Sequence, residues 1–209
     1  MPDTEENVVR RLLQAIGNNA EVSQRKLSME IGIAVGSVNW YLRRCVNNGL
    51  IKLHQVPAKR YLYFLTPRGF EEKSILTARF LQSSFELYRR GRAECEEFFR
   101  GCKQRDNEIV FLAGDGDLAE IAVLSGLANG GPPLAVIDRG PDRKSCVGVV
   151  VTESVDSAVG LARGRAPEAI LLTDVRNPKA TYQSIGVELA TRGLPQNLIH
   201  VPSILNFRP

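Results

Sequence analysis

The chain predicts two folded parts: an α+β helix-turn-helix domain with a β-hairpin wing, then an α/β domain built on a parallel sheet. Three observations predict this. From Ile31 to Phe70 there is no Asp or Glu, while Arg43, Arg44, Lys52, His54, Lys59, Arg60 and Arg68 all fall inside that run. Beyond Asn107, short apolar runs alternate with helix-compatible stretches closed by Gly, the pattern of strands joined by crossover helices. Charge divides the same way: residues 1–65 hold nine Lys/Arg against five Asp/Glu, and residues 108–209 hold nine against eleven. A basic front and a slightly acidic back point to two parts with different partners.

Glu5 to Ile16 reads as a first helix, with Val8, Val9, Leu12, Leu13 and Ile16 at three- and four-residue spacing. Ser23 is the N-cap of a second helix that ends near Gly32, where the missing Cβ suits a tight turn. A third helix runs from about Gly36 to Asn48 and is stopped by Gly49. Val38, Leu42 and Val46 face its core side, leaving Ser37, Asn39, Trp40, Arg43 and Arg44 on or near the outward side. Leu50–His54 and Tyr61–Leu65 alternate as strands, and residues 55–60 join them as a wing.

Two short helices around a turn, followed by a basic hairpin, are shaped and charged for double-stranded DNA. The third helix would enter the major groove. Ser37, Asn39 and Trp40 are then the candidates for base readout, since Asn can pair bidentately with adenine. Arg43, Arg44, Lys59 and Arg60 suit phosphates, which position a protein without reading sequence. Packing against the wing is the structural alternative for Trp40, and a solvated charge is the alternative for any single basic residue.

Thr66-Pro67 opens the next helix, with Thr as N-cap and Pro at the first helical position. It stays helix-compatible to about Cys102, with Gly91 as the point where it would break in two. Ile75, Leu76, Phe80, Leu81, Phe85, Leu87, Tyr88, Phe98 and Phe99 give it more apolar surface than a lone exposed helix tolerates. A second copy of the chain in a homodimer is the simplest cover, and packing on its own C-terminal domain the alternative. The expected organisation is 1–66 for the DNA-binding domain, 67–105 for a linker and dimerisation helix, and 106–209 for an effector-binding domain.

In the back half, Glu108–Ala113, Leu134–Asp138, Val147–Val151, Ala169–Thr173 and Leu198–Val201 read as strands. Ser154 caps a helix that Gly164 ends, and Thr181–Arg192 is a helix stopped by Gly193. This is a Rossmann-like arrangement, in which ligands bind beyond the carboxyl ends of the strands. The first such end carries Gly114, Asp115, Gly116, Asp117, Leu118 and Ala119, similar to the dinucleotide fingerprint. Asp138 and Arg139 close the second strand a little over twenty residues on. Asp115 and Asp117 would repel a pyrophosphate at a helix N-terminus, although Asp117 has a capping role as its structural alternative. A nucleoside, a nucleotide sugar with its phosphates turned away, or a metal-bridged phosphate suffers less. Thr152, Thr173, Asp174 and Arg176 are further strand-end candidates, Arg176 as an anion partner, against ordinary loop capping. The ligand classes left open are a nucleotide, a nucleotide sugar and NAD(H).

Other classes find little support. No apolar run approaches a membrane span, and the acidic N-terminus is no signal peptide. Cys45, Cys95, Cys102 and Cys146 lack Cys-x-x-Cys spacing and histidine neighbours, which argues for a reduced, cytoplasmic protein without structural zinc. Cys95 and Cys102 could share a helical face as a redox pair, the alternative being buried small hydrophobes. The two histidines, His54 and His200, nominate no triad or metal cluster. Glu120 and Asp138 could do acid–base work, but nothing names a substrate, so no enzyme is expected. A protein-interaction module is the third class.

Residues 23–27, 33–43 and 49–52 resemble winged-helix regulators of the MarR type, and within them the branch associated with bacterial exopolysaccharide gene clusters. The likeness continues from Leu65 to Leu81 and covers roughly residues 5–90. It implies a dimeric DNA-binding transcription factor governing polysaccharide or related metabolic genes, and the last hundred residues are extra to that branch. In layout, a winged helix followed by a nucleotide-type sheet is similar to the Rex redox repressors, which read NAD(H). The shared features are Gly114, Gly116, Leu118 and Asp138. The sheet also looks like the nucleotide-sugar-binding domain of some sugar acetyltransferases. Each of these likenesses implies a sensor rather than a catalyst.

Overall fold

The computed structural model describes residues 5–56, 60–140 and 143–207, with the side chains of Val56 and Arg60 left outside that description. The chain divides into two compact units, Met1–Phe85 and Glu86–Pro209.

The first unit holds helices α1 (Glu5–Asn18), α2 (Gln24–Ile31) and α3 (Val35–Asn47), then strands β1 (Ile51–Val56) and β2 (Arg60–Leu65). Local chemistry sets the helix ends. Ser23 Oγ accepts the Lys26 N–H at the start of α2, and Gly32 closes it in the left-handed conformation at φ 79°. Leu12, Leu13, Leu27, Ile31, Val38 and Leu42 form the centre of the core. Cys45 is buried on α3, and Val46 is only partly so, because the core face of that helix drifts toward the three-residue step. β1 and β2 pair antiparallel as the wing, with Ile51 opposite Leu65 and Leu53 opposite Tyr63.

Thr66 couples the hairpin to the next helix. Its hydroxyl donates to Gly49 O at 2.6 Å and accepts the Gly69 N–H at 3.0 Å. Helix α4 then runs unbroken from Pro67 to Gln104. The break expected at Gly91 does not occur. Gly91 is buried, and a Cβ there would meet Ile204 Cδ1 at 3.2 Å and Leu118 Cδ1 at 3.4 Å, so its small size serves close packing rather than a stop.

The second unit contains β3 (Val110–Ala113), α5 (Asp117–Asn129), β4 (Ala135–Ile137), β5 (Ser145–Cys146), β6 (Val149–Thr152), α6 (Val155–Leu161), β7 (Ala169–Leu172), α7 (Pro178–Thr191) and β8 (Ile199–His200). The sheet order is β5-β6-β4-β3-β7-β8, parallel except for β5. Chain order runs outward one way from β3 through β4 to β6, then restarts on the other side with β7 and β8. The reversal lies between β3 and β7, the place where such sheets open a ligand crevice. One face packs Leu112, Val136 and Leu171 against α5 and the C-terminal turns of α4. The other packs Phe111, Ile137 and Ile170 against α6 and α7. An α+β winged helix-turn-helix domain followed by an α/β Rossmann-like parallel-sheet domain is therefore the architecture.

Two elements differ from the sequence expectation. The single strand at Val147–Val151 is instead a short hairpin, β5 to β6, turning on Val147 at φ 49° and Gly148 at φ 84°. Such turns need positive φ at both central residues, which a β-branched valine rarely adopts, so the apolar run reads as one strand. Helix α7 begins at Pro178, almost a turn before Thr181, because Pro fits the first helical position.

Candidate nucleic-acid interface and strand-end site

On α3, Ser37, Trp40, Arg43 and Arg44 are exposed. Trp40 is 54% exposed, so it is not core, and it packs edge-on against Tyr41 at 4.8 Å. Arg44 lies over the Trp40 ring and forms an ion pair with Glu5, which leaves part of its charge answered within the unit. Arg43 has no ion pair among the described residues. Asn39 is half-buried: its Nδ2 donates to Gln24 Oε1 at 3.2 Å, and Gln24 Nε2 donates to Tyr63 Oη at 3.2 Å. This chain ties the start of α2, the middle of α3 and the wing together at the mouth of a groove of about 300 Å³ lined by Arg43, Asn47 and Tyr61. Only the fold brings Gln24 and Tyr63, 39 residues apart, into contact. Lys59 lies outside the described residues, as does the Arg60 side chain.

At the sheet, Gly114 follows β3 at φ 103°, and an added Cβ would sit 2.4 Å from Asp174 Cβ. Only glycine fits there, for conformation and for space. Gly116 is the N-cap of α5 and offers no side-chain cap; Asp117 is exposed at the first helical position. Leu118 points into the core at 4% exposure, so only its backbone belongs to the turn. Asp115 is 8% exposed and is gripped by Arg143, with Nη2 to Oδ1 at 2.8 Å and Nε to Oδ2 at 2.9 Å. Arg143 Nη1 also reaches Glu120 Oε1 at 2.6 Å. The Arg143 hydrogen bonds outweigh burial and hold the Asp115 carboxyl below its ordinary range. Arg143 was missed because nothing in its own neighbourhood marks it, 28 residues from its partner.

The remaining strand-end groups brace the turn. Asp138 accepts the Asp115 N–H on Oδ2 at 2.8 Å and the Gly140 N–H on Oδ1 at 3.1 Å. Thr173 is fully buried, its hydroxyl donating to Gly114 O at 2.6 Å. Asp174 accepts the Arg176 and Asn177 N–H groups on Oδ1 and the Thr181 hydroxyl on Oδ2 at 2.6 Å. Burial pushes the Asp174 carboxyl up, but these hydrogen bonds and the Arg176 charge leave it lowered. Arg176 Nη2 donates to Asp115 O at 3.2 Å. Arg139 pairs with Glu188 at 2.9 Å, the Thr152 hydroxyl lies within hydrogen-bond distance of Val136 O and Ser154 O, and the Thr152 carbonyl accepts the Asp138 N–H at 2.8 Å.

All four cysteines are free and buried, and burial raises Cys45 and Cys146 to about 11 and Cys95 to about 12. Among the described residues, no group of three His, Cys, Asp or Glu is placed to hold a metal ion.

The fold is a winged helix-turn-helix unit followed by a second, Rossmann-like unit. The family model described as winged helix-turn-helix DNA-binding matches residues 7–52, from α1 into β1. That match supports a DNA-binding transcription regulator and leaves the Rossmann-like unit unassigned. No curated protein matches the chain. No described helix is long and apolar enough to cross a membrane.

Proposed function

We propose that the protein is a homodimeric, cytoplasmic, sequence-specific transcription regulator whose Rossmann-like unit senses a small nucleotide-type ligand. It fits the exopolysaccharide-associated MarR-type branch in its front half. The observation that carries the reading is the acid-free face of α3, where Ser37, Trp40 and Arg43 stand exposed beside the wing. Arg43, with Arg44, Lys59 and Arg60, takes phosphates; Ser37, Asn39 and Trp40 read bases. Asn39 keeps its Oδ1 and one Nδ2 hydrogen for a base while Gln24 fixes its orientation.

Dimerisation is supported by α4, where Phe70, Leu81, Phe85 and Tyr88 follow one helical face at 44–57% exposure. Those four side chains offer roughly 400 Å² per copy, about half of the ~800 Å² per partner that stable interfaces bury. On this reading Gly114–Leu118, Asp138, Arg139, Thr173 and Arg176 form the effector site. Its occupancy shifts the spacing of the two recognition helices and hence operator affinity. The nicotinamide-dinucleotide reading of the Rex type is the alternative for the ligand.

Fluorescence anisotropy on a random-sequence duplex, over a series of salt concentrations, tests the DNA half. The pair Arg43→Ala and Arg44→Ala should weaken binding to all sequences and lower the salt slope by about 2. An unchanged slope removes the phosphate role.

A further inference from the structure

Beside the glycine turn lies a pocket of about 230 Å³, bounded by the ends of β3, β4 and β7 and the first two turns of α7. Its polar lining is Asp138, Arg139, Asp174, Thr181 and Ser184, and Ile137 and Ile185 supply an apolar wall. We infer that this pocket takes a single uncharged, polyhydroxylated ring, of monosaccharide size, and excludes phosphate. This rests on the reading of the strand ends as an effector site and names the chemistry that site accepts.

Size comes first. Drug-sized ligand sites run from roughly 300 to 1,000 Å³, so this pocket suits one ring and cannot enclose a dinucleotide. Charge comes second. Among the described residues two carboxylates line the pocket, and its one lining cation, Arg139, is paired with Glu188. A phosphate placed here would meet both carboxylates with no free positive charge among the described lining residues.

Hydrogen-bond accounting gives the ligand's character. A carboxylate has about four lone-pair sites. Asp138 uses two of them, on the Asp115 and Gly140 N–H groups. Asp174 uses three, on Arg176, Asn177 and Thr181. The unused sites are acceptors, so they call for ligand O–H donors. Ser184 supplies the complement: its Oγ is buried and has no partner among the described residues. A buried hydroxyl without a partner is costly, and it can donate to a ring oxygen or accept from a ligand hydroxyl. Ile137 and Ile185 match the C–H face of a sugar ring. The ring can come from a nucleoside or from a free monosaccharide, since both present the same hydroxyls.

The test is calorimetric titration of the full-length protein with D-ribose, D-glucose, adenosine and AMP, with anisotropy on duplex DNA measured alongside. At least one neutral compound should bind saturably, AMP at least about ten-fold more weakly than adenosine. Ser184→Ala should lower the affinity of that neutral compound about ten-fold. Ser184→Ala should not lower the melting temperature, because it removes a hydroxyl that has no partner among the described residues. Binding by adenosine alone identifies the nucleoside source, and binding by a free sugar identifies the other. AMP binding as tightly as adenosine, or no neutral ligand binding at millimolar concentration, overturns the inference. If AMP binds and changes DNA affinity, the sensor reading stands and the polyol inference falls. If a sugar binds without moving DNA affinity, the inference stands and the sensor reading falls.

Discussion

Arg143→Met removes the fork that holds Asp115 and leaves a carboxylate at 8% exposure facing Cys146 and the glycine turn. Three hydrogen bonds to the Asp115 carboxylate are lost, together with the ion pair to Glu120. Breaking a buried pair on one side costs about 3–5 kcal/mol. The Arg143 side chain is 38% exposed, so water screens the site and about 2–3 kcal/mol is the expected loss. For a unit the size of Glu86–Pro209 that lowers the melting temperature by about 8–12 °C, read by differential scanning calorimetry on the full chain. Asp115→Asn combined with Arg143→Met should recover most of the loss, since no buried charge is then left unpaired. The loss is also pH-dependent. Asp115 has its folded pKa lowered, so the pair's stabilisation is fully present above the unfolded value of about 3.9 and fades as pH falls through the folded one. The gap between parent and Arg143→Met therefore narrows below about pH 4. A single variant within ~0.5 kcal/mol of the parent at pH 7 refutes the assignment of Arg143 as the clamp of the turn.

Gly114→Ala forces a side chain into φ 103° and against Asp174, and should cost about 2–4 kcal/mol in urea denaturation of the C-terminal unit, with α1–α3 helicity unaffected. Asn39→Ala should relax base preference at one or two operator positions in a competition binding assay, whereas Gln24→Ala should do so more weakly by freeing Asn39 to reorient. The four buried thiols should react with Ellman's reagent at pH 8 only as fast as the chain unfolds, because burial holds Cys45, Cys95 and Cys146 at about 11 to 12. Fast labelling of Cys95 or Cys102 would reopen the redox-pair reading.

What the sequence made legible follows from the range of the forces involved. Ser23, Gly32 and Thr66 act within one turn of their own positions, and each sits in the capping or turn role its residue type favours. The buried strands β3 and β7 were readable because both of their faces are covered, which leaves unbroken apolar runs. Gly91 misled because a helix-breaking residue and a close-packing residue look alike until Ile204 and Leu118 are in place. The β5–β6 turn misled because its valine adopts a conformation its sequence context argues against. In the strand-end site, Gly114, Asp115 and Asp138 were visible as a spaced motif. Arg143, Thr181 and Ser184 were not, since each meets its neighbours through tertiary contacts that no local pattern encodes.

The central claim is that the winged-helix unit reads duplex DNA as part of a symmetric dimer. Selection of bound fragments from a random duplex library by the full-length protein, followed by sequencing, tests it most directly. The account predicts an enriched inverted repeat with half-sites about one helical turn, ~10 base pairs, apart. Enrichment of an unpaired single half-site would contradict the dimer, and no enrichment over input would contradict sequence-specific DNA recognition itself.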